Sequence, residues 1–468
     1  MKTVRRTLFK GALLAAAAVV AVGFVDPVKP AAALTLEEAL AEAYRTNPAL
    51  QSARRELGAT NEQVPQALAG WRPSVTLQAS AGRQRQDQSS TFIDEEVTTT
   101  PRTGSVELRQ PLYRGGQTVA GTERAERTVE AQRGRLRGVE QDILVRSVSA
   151  YSDVWRDEAT LELNEANVRV FERQLEATRD RFEVGEVTLT DVAQSEFFLA
   201  QAVANRIAAR GSLEASRANF EEVIGVPPVE LERPVLPENL PETREDAVTQ
   251  ALDNNPEVVT ARFVEAAAQS QVREIAGQLL PSADLIARLS RSDNTTTADS
   301  RTERAELLGQ VTIPLYQQGA VFSQVRQARQ TASQRRLELA TAQRNVEQAA
   351  VSFWEDLVTA RASITSLEEQ VRAAEIALEG VREEQRVGAR TVLDVLEAEQ
   401  DLLEAQVDLV AARRNEIVAS HSVLSAVGRM QAQPLELPVD IYDVEGPYME
   451  VRNRYWGWGI PDESTEVD

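Results

Sequence analysis

The sequence predicts a mostly α-helical protein with a smaller β portion that meets a membrane, and three observations carry that expectation. Motifs recur at fixed spacing: Asn47-Pro48 returns as Asn255-Pro256 and Pro73 as Pro281, 208 residues on. Pro111-Leu112-Tyr113 returns as Pro314-Leu315-Tyr316, and Val184-Gly185 as Val387-Gly388, 203 residues on. One unit is therefore written twice. Two stretches without proline, between Pro111 and Pro227 and between Pro314 and Pro434, are rich in Ala, Glu, Gln, Arg and Leu, all good helix formers. Ahead of each stretch the apolar period drops from seven to two, which is the mark of strands.

The first 33 residues read as a secretory leader. Lys2, Arg5, Arg6 and Lys10 form a basic start, Gly11 to Val25 is an apolar run too short to span a bilayer, and Ala31-Ala32-Ala33 supplies a cleavage site. The mature chain is expected to begin at Leu34. Arg5-Arg6 also admits a twin-arginine signal, but an arginine pair is common in an ordinary basic leader.

The first unit covers 34–226: a helix to about residue 69, a β-hairpin over about 72–113 and a long helical hairpin over about 117–225. Thr35 and Glu38 have the spacing of a capping box for that helix. A proline-rich linker follows at 227–243. The second unit covers 244–430, with its helix to about residue 278, a β-hairpin over about 282–316 and a helical hairpin over about 320–430. The spacing shrinks by five between Pro73 and Pro111, and a length change is best tolerated in a loop or hairpin tip. Residues 431–468 lie outside the repeat and end in an acidic tail, Asp462 to Asp468, of disordered composition.

Heptads run along the helical hairpins. Val154, Leu161, Val168, Leu175 and Phe182 are spaced by seven, and Leu357, Ile364, Val371 and Leu378 match them in the second unit. Ala360, Leu367, Ala374 and Val381 add a second set. Such a seam predicts left-handed antiparallel coiled coils. Their tips fall at Gly185 and Gly388.

In the strands, Val75, Leu77, Ala79 and Ala81 alternate with polar residues, as do Val106, Leu108 and Leu112. In the second unit Leu285, Ala287 and Leu289 alternate likewise, followed by Leu307, Val311, Ile313 and Leu315. Polar loops join the pairs at 83–101 and 290–304. A sheet packed on a soluble core would show the same alternation. Arg, Glu and Gln on the second face, and Trp71, Tyr113 and Tyr316 at the strand ends, favour a barrel with a wet lumen and an aromatic girdle. Ile286 and Gln110 interrupt the pattern. Four strands cannot close a barrel, and lipid tolerates no open edge. The chain must then oligomerise.

Composition excludes several classes. A net charge of −21 repels phosphate backbones, so nucleic acid is not an expected partner. Cysteine is absent and His421 is the single histidine, so no disulfide, thiolate metal site or histidine cluster is expected. No nucleophile elbow, H-E-x-x-H or phosphate loop is present. No enzyme activity, cofactor or metal is expected, and His421 is assigned no chemistry.

The duplicated order of helix, β-hairpin and helical hairpin resembles the TolC family over nearly the whole mature chain. The residues that carry the resemblance are Asn47-Pro48 and Asn255-Pro256, the strand-to-helix passages Gln110 to Gly116 and Ile313 to Gly319, and above all Val387 to Glu397 with its sister Val184 to Val192. The resemblance implies a homotrimer with a twelve-stranded β-barrel in outer-membrane lipid, continuous with a twelve-helix coiled-coil α-barrel in the periplasm. It implies an exit duct for a tripartite efflux pump or type I secretion system, docked by a periplasmic adaptor and an inner-membrane transporter at the tips marked by Gly185 and Gly388. It places Asp394 and Glu397 at the narrowest aperture and makes Arg390 the tie that closes the entrance, with Thr190 and Asp191 as its partners. Where the family has a tyrosine for a second tie, this chain has Gln385. It also implies that the linker and residues 431–468 wrap the α-barrel at its equator. From the residues alone, Asp394 and Glu397 share one helix face that could equally be a solvated acidic face, and Arg390 a surface charge. The rival reading of the whole chain is a periplasmic coiled-coil adaptor or scaffold. An adaptor would need one helical hairpin flanked by β halves, and this chain has two hairpins.

Overall fold

The structure, a computed structural model, describes residues 34–90, 93–297 and 299–460. The expected leader and the acidic tail lie outside the described residues. In chain order the elements are α1 (Leu36–Thr46), α2 (Pro48–Asn61), α3 (Gln63–Leu68), β1 (Ser74–Ala81), β2 (Gln84–Ser90), β3 (Ile93–Thr99), β4 (Arg102–Arg114), α4 (Gln117–Glu183) and α5 (Leu189–Ile224). Then come α6 (Arg244–Asn254), α7 (Pro256–Ala276), β5 (Ser282–Asp293), β6 (Arg301–Thr312), α8 (Ala320–Arg386), α9 (Val392–Ala426) and α10 (Gly446–Arg452).

The expected first helix is three helices, α1 to α3, and its break at Asn47 recurs in the second half between α6 and α7. A residue before proline is pushed out of the helical region, and Asn47 and Asn255 sit at ψ 120 and 129. Pro48 and Pro256 then begin the next helices, where a missing N–H costs nothing. Each asparagine joins two helix ends. The Asn47 carboxamide oxygen accepts from the Ala49 amide at 3.0 Å, while its nitrogen donates to the Val223 carbonyl at 3.0 Å. Asn255 accepts from Glu257 and donates to Ala426, both at 2.9 Å. So α2 continues where α5 stops, and α7 where α9 stops. The approach is tight at Gly428, whose φ is +78 and where a Cβ would sit 2.6 Å from the Asn254 carbonyl oxygen.

The helices α4 and α8 each run 67 residues, roughly 100 Å at 1.5 Å per residue. The returns α5 and α9 have 36 and 35 residues. Each return therefore covers about half of its partner, and the stacked α2 or α7 covers much of the remainder. Val154, Val168, Leu175, Leu357 and Leu378 of the heptad seam are buried, whereas Phe182 at its end is exposed. The largest core lies where α1, α2, α4, α5 and the C-terminal segment meet, around Leu57, Ile143, Tyr151, Phe220 and Met430. The Tyr151 hydroxyl lies between the carbonyls of Leu34 at 2.6 Å and Glu232 at 2.8 Å. It pins the linker to the chain start, where Leu34 pairs with Leu231.

Four strands form an antiparallel sheet in the order β1-β4-β5-β6. The expected polar loop at 83–101 is instead a further two-stranded ribbon, β2 with β3. Its polar residues show no apolar alternation, so sequence periodicity could not mark it. One face of the main sheet carries rows such as Val75–Leu108–Ala287–Leu307. Leu77 and Leu307 on that face are 74% and 70% exposed. The other face carries Glu107, Arg288 and Glu306 side by side, with Arg288 donating to Glu107 at 3.0 Å and Arg109 to Asp284 at 2.6 Å. Among the described residues no helix is long and apolar enough to cross a membrane.

Candidate functional site: the helical hairpin tips

Both hairpins turn in the same way. At the end of α4 the Gly185 amide donates to the Phe182 carbonyl at 2.9 Å and the Glu186 amide to Arg181 at 2.9 Å. At the end of α8, Gly388 donates to Gln385 at 3.0 Å and Ala389 to Glu384 at 2.9 Å. This paired pattern is a Schellman motif, which needs a left-handed residue after the helix. Both glycines have φ +83.

The next helix starts at once. The Thr391 hydroxyl accepts from the Asp394 amide at 3.2 Å, and the Asp394 carboxylate accepts from the Thr391 amide at 2.8 Å and its hydroxyl at 2.6 Å. Thr188 and Asp191 repeat this box at 3.3, 2.7 and 2.7 Å. Two orphan amides per helix start are satisfied. The Thr391 hydroxyl and amide hold the Asp394 carboxyl below the usual carboxylate range, with Arg390 adding to the effect. Sequence reasoning missed Thr188 and Thr391, although threonine three residues before an acid is a legible cap signal.

Arg390 bridges its own turn. Its Nε donates to Glu384 at 2.9 Å and its Nη1 lies 3.5 Å from Asp394. Within one chain it does not meet Thr190 or Asp191, the partners expected for it. Glu384, at the last turn of α8, was not foreseen. Thr190 is exposed, Asp191 is half-buried, and Glu397 is exposed one turn beyond Asp394. The Asp191 oxygen Oδ1 accepts no hydrogen bond among the described residues.

The two hairpins are joined near their tips by apolar contact. Val392 and Leu396 of α9 bury themselves with Val168 and Phe171 of α4 and Ala202 of α5, and Val187 packs alongside. Val187 occupies in the first turn the place that Arg390 holds in the second. The arrangement can hold acidic groups at a helix tip beside a cation. It offers neither a nucleophile–base pair nor, among the described residues, a group of His, Cys, Asp and Glu able to hold a metal.

Comparison with known proteins gives consistent matches. The family described as outer membrane efflux protein matches residues 39–226 and 247–429. Outer membrane efflux protein BepC of Brucella suis biovar 1 (strain 1330) is 36% identical over 460 residues, 98% of this chain and 99% of its own. Outer membrane protein TolC of Escherichia coli (strain K12) is 26% identical over 411 residues, 84% of this chain and 82% of its own. Among solved structures, the outer membrane protein VceC from Vibrio cholerae superposes with a TM-score of 0.72 at 22% identity, covering 84% of this chain and 96% of that one.

Proposed function

The chain belongs to the outer membrane efflux protein family, and from that premise we propose how its edges, faces and tips make a duct. It is an outer-membrane channel of a Gram-negative bacterium, the exit duct of an efflux or secretion apparatus. Three chains close the sheet into a barrel of about twelve strands whose apolar face meets lipid. The charged row of Glu107, Arg288 and Glu306 faces the lumen. Below it the helices close into a second, periplasmic barrel. Substrates pass without a catalytic step. A periplasmic adaptor and an inner-membrane transporter dock at the tips around Gly185 and Gly388. Asp394 and Glu397 ring the aperture, and Arg390 reaches Asp191 and Thr190 of a neighbouring chain.

The observation that carries this reading is a set of open edges that match one another. β4 pairs with β5 as far as Arg114, but its counterpart β6 stops at Thr312. Residues Ile313 to Gln317 stand unpaired, with Leu315 93% exposed. The free edge of β1 is the missing partner. Likewise α4 is flanked on both sides, by α5 with α2 and by α7 with α9, whereas α8 leaves Phe322, Leu337 and Ile376 exposed.

The two internal repeats also fix the register of closure. β4 and β6 are 203 residues apart, and β1 and β5 are 208 apart. The in-chain pair Leu108↔Ala287 thus becomes Val311 of one chain opposite Ala79 of the next. The natural chain has no cysteine, so a double variant Ala79→Cys and Val311→Cys reports directly. Oxidation in membranes should yield a cross-linked trimer. Within one chain those residues are three strand spacings apart across the sheet, roughly 14 Å, and eight residues apart along it, since Ala79 is level with Glu303, too far for a disulfide. Monomers alone after oxidation would rule out this closure.

A further inference from the structure

The C-terminal segment climbs to the level where sheet meets helices. Trp71 lies just before β1, and Tyr113 and Tyr316 lie at the lower ends of the β4 and β6 strand paths. At the end of α10, Arg452 pairs with Glu126 of α4 at 2.7 Å. The chain then meets Arg72, two residues before β1. The Arg72 guanidinium donates to the Arg454 carbonyl at 2.9 Å and lies 4.2 Å from the centre of the Tyr455 ring.

From there the chain forms a clasped loop. Arg454 donates to the Gly459 carbonyl at 2.6 Å. Gly457 turns the backbone at φ +117, a region that glycine alone visits freely. The loop turns its indoles outward: Trp456 is 90% and Trp458 100% exposed, with Tyr455 and Ile460 exposed beside them. Tryptophan is on average a highly buried side chain, so two bare indoles on a braced loop mark a surface that something covers.

We propose that residues 454–460 form a membrane foot, with Trp456 and Trp458 seated in the headgroup layer of the periplasmic leaflet. The inference rests on the reading that the β1-β4-β5-β6 sheet crosses this membrane. Arg72, the neighbour of Trp71, ties the loop to the foot of β1 and so to the start of the aromatic girdle, while the loop faces the upper part of α2 across a groove lined by Arg54, Gly58 and Glu62. Indole suits that layer because its ring is apolar while its N–H requires a wet partner. Arg72 and Arg454 add cations where lipid phosphates lie. The foot would fix the height of the helical barrel relative to the bilayer and tether the C-terminal segment without a transmembrane helix.

Tryptophan fluorescence in proteoliposomes containing the assembled full-length protein tests this. The chain has five tryptophans, Trp71, Trp155, Trp354, Trp456 and Trp458. One variant, Trp71→Phe with Trp155→Phe and Trp354→Phe, keeps only the indoles of the foot. A second, with Trp155, Trp354, Trp456 and Trp458 all changed to Phe, keeps only Trp71. Phospholipids spin-labelled near the headgroup or deep in the acyl chain act as quenchers. The foot should lose more fluorescence to the shallow label than to the deep one. If Trp71 is quenched and the foot is not, the foot is overturned while the barrel stands. In that case a water-like emission maximum places the indoles in solvent, and a blue-shifted one places them against a neighbouring chain. If neither variant is quenched, the barrel reading falls with the foot.

Discussion

Asp394 is tied to its own helix before it can act on anything passing by. Its carboxylate closes the cap with Thr391 and leans on Arg390, so the start of α9 and the charge of the tip depend on the same group. Thr391→Ala should cost about 1 kcal/mol of local stability. Amide exchange in the first turn of α9 should then quicken about fivefold, and an unchanged rate would refute the cap's importance. The Asp394 pKa is depressed, so its contribution is present above the unfolded carboxylate value and is lost as pH falls through the lower folded one. His421 responds earlier. It is buried near the end of α9 with Nδ1 2.8 Å from the Ile417 carbonyl, and burial pushes its pKa down. The unfolded chain takes up that proton near about pH 6.5 while the native chain resists it, so stability falls as pH drops below that value. His421→Leu should flatten the fall in melting temperature between about pH 6.5 and 5. A slope equal to that of the unsubstituted protein would contradict this account.

At the scale of elements, the Asn-Pro junctions hold the stacked columns together. Asn47→Ser keeps a capping oxygen for α2 but is too short to reach the Val223 carbonyl, whereas Asn47→Ala loses both bonds. The alanine variant should lose about 1–2 kcal/mol and the serine variant about half that, read from denaturant midpoints. Equal losses would mean that the bridge to α5 carries nothing. These junctions also show what the sequence discloses. The long arms were legible because heptads and an absence of proline act locally, and α4 begins and ends where those signals do. The tips were legible because a left-handed turn demands glycine. The break at Asn47 was legible as a proline, yet its meaning was not, since the helix it abuts lies elsewhere in the chain. The β2–β3 ribbon is built mostly of polar residues and left no period to read. Arg390 was identifiable as a tip cation. Its choice of Glu384 depends on angstroms that spacing does not encode.

For the whole molecule, the proposed gate separates into two measurable parts. Three chains would bring three Asp394 and three Glu397 carboxylates towards one axis, which favours cations and needs restraint against repulsion. An exposed ion pair is worth about 1 kcal/mol or less, and the apolar seat of Val392 and Leu396 holds each chain's hairpins together independently. Arg390→Ala should therefore raise single-channel conductance in planar bilayers without unseating the hairpins. Asp394→Asn with Glu397→Gln should instead reduce cation selectivity. If both variants conduct and select like the parent, the constriction lies elsewhere. The stacked columns also set an order of events in folding. Asn47 meets Val223 across 176 positions of chain, and Asn255 meets Ala426 across 171. Closing so long a flexible loop costs on the order of 5 kcal/mol in chain entropy, whereas α4 and α5 are joined by a short turn. A chain delivered N-terminus first therefore exposes α2 and β1 before the helices that seat them have arrived. Pulse-labelled refolding should protect the amides of α4 and α5 before those of α2. During that interval the unpaired β1 edge is an aggregation hazard, and the net charge of −21 keeps waiting chains apart.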